Sequence, residues 1–214
     1  MADGAIVSTG KKYKKYTKNN PYNRFDLMLK QSDINHIYKL SNALKSTYPI
    51  TESIVYDKRG FSSKKCELRI NSVLFCKSLM KNGILPQKTG NEIIPDTVPE
   101  YLLKHFIRGY FDGDGCITKM KNHTYYRFHL CCASESFLRQ IANILNDQCN
   151  LEVSIKKRKN SNMYYFESNK KDICHTFLYY IYNNATIYLD RKYLLAKEYL
   201  KSAPLLRNEQ LKTD

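Results

Sequence analysis

Two aspartates, Asp112 and Asp114, flank Gly113 and are followed at once by Gly115, at the end of a segment whose apolar spacing predicts a helix. Pro99 suits the first turn of that helix, because its missing amide would have found no partner there, so the helix is expected to begin near Val98. Leu102, Leu103, Phe106, Tyr110 and Phe111 recur close to the helical period. Gly109 and Gly113, four apart, leave one face open to the close approach of a second helix. Gly115 is expected to end the helix in the left-handed conformation. Carboxylates at a helix carboxyl end meet the negative pole of its dipole, which is costly unless a positive charge stands nearby. A divalent cation with hard oxygen ligands would supply that charge. The plainer reading is an Asp-Gly turn that stops a helix. An EF-hand loop is excluded, since Thr118 to His123 bring neither further acidic positions nor a distal glutamate.

The elements that must position this turn are written twice. Ala-Asp-Gly-Ala-Ile at 2 to 6 mirrors Gly-Asp-Gly-Cys-Ile at 113 to 117, and Arg24-Phe25-Asp26-Leu27 answers Arg127-Phe128-His129-Leu130. Both strands alternate so that Phe25 and Leu27, or Phe128 and Leu130, face a core while Arg24 and Arg127 face out. Amphipathic helices follow over 33 to 46, with Ile37, Leu40 and Leu44, and over 135 to 147, with Leu138, Ile141 and Leu145. Strand pairs are expected at 53 to 56 with 66 to 71, and at 153 to 157 with 163 to 167. Further helices are expected at 73 to 81 and 171 to 182. The junction lies within 83 to 97, which assigns residues 1–92 to a first repeat and 93–214 to a second. Each repeat is an α+β unit whose antiparallel sheet can keep one face wet and polar.

Lys and Arg number 35 against 20 Asp and Glu, a formal charge of +15, so the natural partner is a polyanion and above all nucleic acid. With 214 residues and 43% apolar content the chain can bury a proper core. No apolar run reaches membrane-spanning length and Met-Ala-Asp-Gly has no signal-peptide character, so an intracellular protein without membrane partners is expected. The seven cysteines include no C-x-x-C pair, which supports neither zinc nor a disulfide framework and predicts reduced, mostly buried thiols.

The segment Ile107-Arg108-Gly109-Tyr110-Phe111-Asp112-Gly113-Asp114-Gly115, its place before a strand pair and its partial duplicate resemble the two-repeat LAGLIDADG homing endonucleases. Leu85-Pro86-Gln87-Lys88-Thr89 and Leu189-Asp190-Arg191-Lys192-Tyr193 are similar to other recurrent segments of that family. The resemblance covers nearly the whole chain. It implies two αββαββα-type repeats forming a pseudo-two-fold saddle of antiparallel sheets over duplex DNA. Two motif helices would pack at its centre, and one acidic residue from each would reach the scissile phosphates. One departure stands out: the first motif helix should precede Asp3, and only its last residues, Ala2, Asp3 and Gly4, are present. Three explanations stay open. A second copy in a homodimer or a helix-donating partner chain supplies the helix, the coding sequence starts further upstream, or cleavage has been lost.

Phosphodiester hydrolysis needs a metal to polarise the phosphoryl oxygen, activate water and stabilise the leaving oxygen. Asp114 is the expected ligand, Asp3 its match in the other repeat, and Mg2+ the expected ion. The resemblance further implies that Lys88 and Lys192, at matching places late in each repeat, hold solvent as the general base. Lys11, Lys12, Lys14 and Lys15 in one loop, and Lys156, Lys157, Arg158 and Lys159 in another, suit phosphate contacts. Arg24, Arg69, Arg127 and His129, outward by alternation, and Arg59 from a turn, are candidates for base edges in the major groove. The expected activity is sequence-specific double-strand cleavage. An intein is disfavoured by the absence of splicing residues, and the alternatives are a DNA-binding regulator without cleavage or an RNA-splicing maturase.

Overall fold

Alternation of apolar and polar residues, clearest along β2 (Tyr22–Lys30) and β6 (Tyr126–Cys132), marks the inner faces of two sheets of one design. The computed structural model describes residues 4–8, 22–86, 89–119 and 125–202. In the first sheet, β1 (Gly4–Ser8), β2 (Tyr22–Lys30), β3 (Ile50–Tyr56) and β4 (Ser62–Asn71) lie antiparallel in the order β1-β2-β4-β3. The second repeats that order with β5 (Cys116–Lys119), β6 (Tyr126–Cys132), β7 (Lys156–Lys157) and β8 (Tyr164–Ser168), as β5-β6-β8-β7. Registers agree as well: Leu27 pairs with Leu68, and Leu130 with Phe166, each placing two apolar side chains together on the inner face.

Helices cover the inner faces at matching points. After the second strand of each sheet come α1 (Ile34–Ala43) and α4 (Glu135–Cys149). After the partner strand come α2 (Val73–Lys81) and α5 (Lys171–Tyr182). Ser72 Oγ accepts from the Phe75 amide and Ser134 Oγ from the Phe137 amide, each satisfying an orphan donor of a first turn. The helix α3 (Leu103–Asp114) runs directly into β5, and α6 (Asp190–Ser202) closes the described fold. The second core stacks Phe128 on Phe177 at 4.3 Å and sets Phe166 edge-on to both. Between halves, Lys39 Nζ on α1 pairs with Asp190 and Arg191 Nε reaches Asp33 Oδ2 at 3.2 Å.

Three local expectations need correction. Pro99 is extended (φ −59°, ψ 150°) and is followed by a 3₁₀ turn over Glu100–Leu102, so the α-helix proper starts at Leu103 rather than near Val98. Gly115 is extended (φ −79°, ψ 166°) and not left-handed. Its lack of a side chain answers crowding instead, because a Cβ there would lie 2.2 Å from Phe111 Cδ2 and 2.6 Å from the Phe111 carbonyl oxygen. The strand expected over 153 to 157 shrinks to Lys156 and Lys157, although Val153 and Ile155 still pack against the core. All seven cysteines are free, with Cys66, Cys76, Cys132 and Cys174 buried and Cys116 exposed. Among the described residues no helix is long and apolar enough to cross a membrane.

Candidate functional site

At the end of α3 the two aspartates part company. Asp112 turns inward and is 3% exposed, accepting from Tyr182 Oη at 2.6 Å and from the Leu189 amide at 3.0 Å. Burial pushes its carboxyl up from the ordinary range, against these two donors, which hold it down. Asp114 is exposed at the last position of the helix, where the chain enters β5. The Cys131 thiol of β6 lies 4.0 Å from the Asp114 carbonyl, which puts this end of α3 beside the outward face of the second sheet.

Lys192 lies elsewhere than a solvent-holding base would need to be. It is 3% exposed on α6, and its Nζ donates to the carbonyls of Phe111 at 2.8 Å and Asp112 at 2.7 Å, and also to that of Gly115. The positive charge demanded by the carboxyl end of α3 is therefore an ammonium of this chain, which joins the Gly115 amide at the Phe111 carbonyl and also caps that of Asp112. The arrangement fixes where Asp114 emerges. The sequence hid it because the cap arrives from a helix about eighty residues further on.

Expected binding residues fall on the outward faces, but in company. Arg24 Nε donates to Asp26 Oδ2 at 3.0 Å, Arg69 Nη2 to Glu67 Oε2 at 2.9 Å, and Arg69 Nε stands 3.5 Å from Asp26 Oδ1. On the second sheet Arg127 Nη2 meets Glu167 Oε2 at 2.7 Å and the His129 ring stacks on Tyr165 at 5.3 Å. Burial lowers the His129 pKa, and Arg127 and Arg158 add to that while Glu167 opposes it. Lys156, Lys157, Arg158 and Lys159 are exposed along the β7–β8 hairpin, where Lys157 lies over the Tyr164 ring at 5.6 Å. Arg59, at the β3–β4 turn, is tied to Asp57 at 3.3 Å. Asp3, Lys11, Lys12, Lys14, Lys15 and Lys88 lie outside the described residues. The acidic partners Asp26, Glu67 and Glu167 and the ring of Tyr165 were not anticipated, although continuing the alternation along β2, β4 and β8 would have found them. Beside Gly109 and Gly113 a cavity of about 370 Å³ opens between α3 and the inner face of the first sheet.

Two repeated sheets with helices on their inner faces and an exposed aspartate where a helix enters a sheet define a class. Residues 102–186 match the family model of the LAGLIDADG-like domain. The homing endonuclease I-WcaI bound to its DNA recognition sequence superposes with a TM-score of 0.59 at 15% identity, covering 89% of this chain and 80% of that one. The I-SmaMI LAGLIDADG homing endonuclease bound to cleaved DNA gives 0.56 at 14%, over 94% and 85%. Full-length DUF199/WhiA from Thermatoga maritima gives 0.51 at 17%, over 87% of this chain and 55% of that one. No curated protein matches the chain at a significant level. The chain thus carries a LAGLIDADG-like domain and has the two-repeat fold of the LAGLIDADG homing endonucleases.

Proposed function

We propose that the chain is a sequence-specific, Mg2+-dependent endonuclease of the homing type that hydrolyses phosphodiesters of double-stranded DNA. The observation that carries this reading is the exposed Asp114 at the end of α3, delivered beside a sheet face that bears Arg127, His129 and the basic β7–β8 hairpin. The DNA complexes of I-WcaI and I-SmaMI, which share the fold, support it.

Among the described residues no three His, Cys, Asp or Glu side chains come together as a closed metal cage. One exposed carboxylate fits a hard ion that keeps most of its waters and shares the phosphates of its substrate. Asp114, with Asp3 as its internal match, would hold the ion. When bound, Mg2+ would polarise the phosphoryl oxygen and activate water. The work of the chain's own groups is positional. Lys192 and Gly115 fix the helix end, Asp112 anchors it to the segment before α6, and the basic faces hold the flanking phosphates. Lys192, fully engaged by carbonyls, serves as a positioning residue.

Incubating the protein with Mg2+ and a supercoiled library of randomised targets should give nicked and linear products. Asp114→Asn should abolish them while leaving DNA binding intact. A shared fold does not by itself imply cleavage, so cleavage has to be carried by the site. The open cavity beside α3 favours a second reading, DNA binding without cleavage, which equal binding and no products from both proteins would establish.

A further inference from the structure

The hairpin ends of the two sheets differ more than their cores. Val55, Tyr56 and Asp57 lead into the turn of the first hairpin where Lys156, Lys157 and Arg158 lead into that of the second. The open sheet edges differ in the same way. The edge strand β7 is two lysines long, β5 is four residues ending in Lys119, and β1 carries a bulge between Val7 and Ser8. Shortness, lysine and bulges keep an open edge from pairing with another chain. The edge strand β3 has none of these devices. It is Ile-Thr-Glu-Ser-Ile-Val-Tyr, with one charge and no proline, and it follows β4 without a shift of register. The helix α1 packs on β2 and β4 and α2 on β2, which leaves Ile54 56% exposed and Tyr56 68% exposed on the inner side of β3.

We infer that the free edge of β3 pairs antiparallel with β3 of a second copy, about a two-fold axis through Ser53. The backbone sets the choice of register. The Asp57 amide donates to the Phe61 carbonyl at 2.9 Å, so Thr51, Ser53 and Val55, in step with Asp57, turn their amides and carbonyls toward β4. Ile50, Glu52, Ile54 and Tyr56 turn theirs to the free edge. An axis through Ser53 sets Ile50 opposite Tyr56 of the second copy and Glu52 opposite its Ile54, so the whole strand is engaged and every outward amide and carbonyl is matched. An axis through Glu52 would set like charges face to face. An axis through Ile54 would leave Ile50 without a partner. The Ser53 register also places Glu52 in one row with Ile54 and Lys64 of the second copy, because Ile54 pairs with Lys64 across its own hairpin. Ile54 and Tyr56, exposed in one copy, gain apolar neighbours in two. This self-matching favours a second copy over an unrelated chain, and the pairing depends on neither cleavage nor DNA binding.

The test is sedimentation of the full chain without DNA, from low to high micromolar concentration, where a dimer should form. Ile54→Glu places a carboxylate opposite Lys64 of its own hairpin and against Glu52 of the second copy. It should leave Tm within about 2 °C and abolish the dimer. Adding Glu52→Lys to that variant turns the repulsion into two symmetric ion pairs and should restore the dimer. Cross-linking checks the axis independently. Facing Ser53 residues form a pair without hydrogen bonds, about 4.5 Å apart at Cα, which suits a disulfide. With Cys116→Ser as background, Ser53→Cys should therefore oxidise to a covalent dimer much faster than Val55→Cys. A chain that stays monomeric throughout would leave the edge to some other partner and overturn the inference. A dimer that survives Ile54→Glu would place its interface elsewhere and overturn it too. Failure of Glu52→Lys to restore the dimer, or equal cross-linking at 53 and 55, would overturn the Ser53 register.

Discussion

The first and second sheets share strand order, register and helix placement, and still bury the same residue types to different depths. Leu138, Ile141 and Leu145 on α4 are wholly buried. Of their counterparts on α1, Ile37 is wholly buried, Leu40 half-buried and Leu44 45% exposed. Leu44 and Leu145 are the same amino acid at the same place in the repeat. Leu44 lies at the end of α1 and lines the cavity, whereas α4 continues past Leu145 to Cys149 and keeps it in the core. Apolar patterning states which face of an element seeks cover, and a neighbouring element decides whether cover is found. The first half is accordingly expected to open at lower free energy than the second.

The largest effect expected from that contrast is in the cores. Phe177→Ala removes a ring that touches Phe111, Phe128 and Phe166 at zero exposure, and should cost about 3–5 kcal/mol in urea unfolding. Leu79→Ala, its match at the cavity wall, should cost about 1 kcal/mol, because half of its surroundings are already missing and little further packing is lost. Equal losses at the two sites would break the comparison.

Next in size is the cap. Lys192→Met keeps the length of the side chain and removes the charge-assisted bonds to the Phe111, Asp112 and Gly115 carbonyls, which should cost about 2–3 kcal/mol. Stability and nicking should fall together, with nicking recovering as the temperature is lowered. Lost nicking at unchanged stability would return Lys192 to the role of a base.

The same contrast marks how far the sequence could be read. The duplicated Arg-Phe-x-Leu strands and the helices at 73 to 81 and 171 to 182 were legible, because local periodicity fixes an element and its inner face. The preference for Asp114 over Asp112 as the ligand was legible too, but what holds Asp112 was not: Tyr182 and Leu189 arrive from more than sixty residues away. The glycine at 115 was legible as a requirement but its cause was misread. It relieves a clash with Phe111 and does not supply a left-handed turn. The helix α6 escaped notice because it buries Lys192 along with Ala196 and Tyr199, and a buried lysine breaks the apolar pattern by which a helix is recognised.

The smallest expected effect concerns the two outward faces. Arg127 has one carboxylate against it, Glu167 at 2.7 Å, whereas Arg69 is held by Glu67 at 2.9 Å and again by Asp26 at 3.5 Å. The Arg127–Glu167 pair is partly exposed and contributes under about 1 kcal/mol, so Glu167→Gln should not shift unfolding measurably, whereas Glu67 is only 9% exposed and Glu67→Gln should cost somewhat more. DNA affinity should respond, and unequally. Glu167→Gln frees Arg127 entirely for phosphate, which should tighten binding several-fold and steepen the plot of log affinity against log salt by about one. Glu67→Gln leaves Arg69 attached to Asp26 and should steepen it by less than half as much. Anisotropy titrations across a potassium chloride series would measure both slopes. Identical slopes in the two variants and the wild type would mean that neither face lies against the DNA backbone.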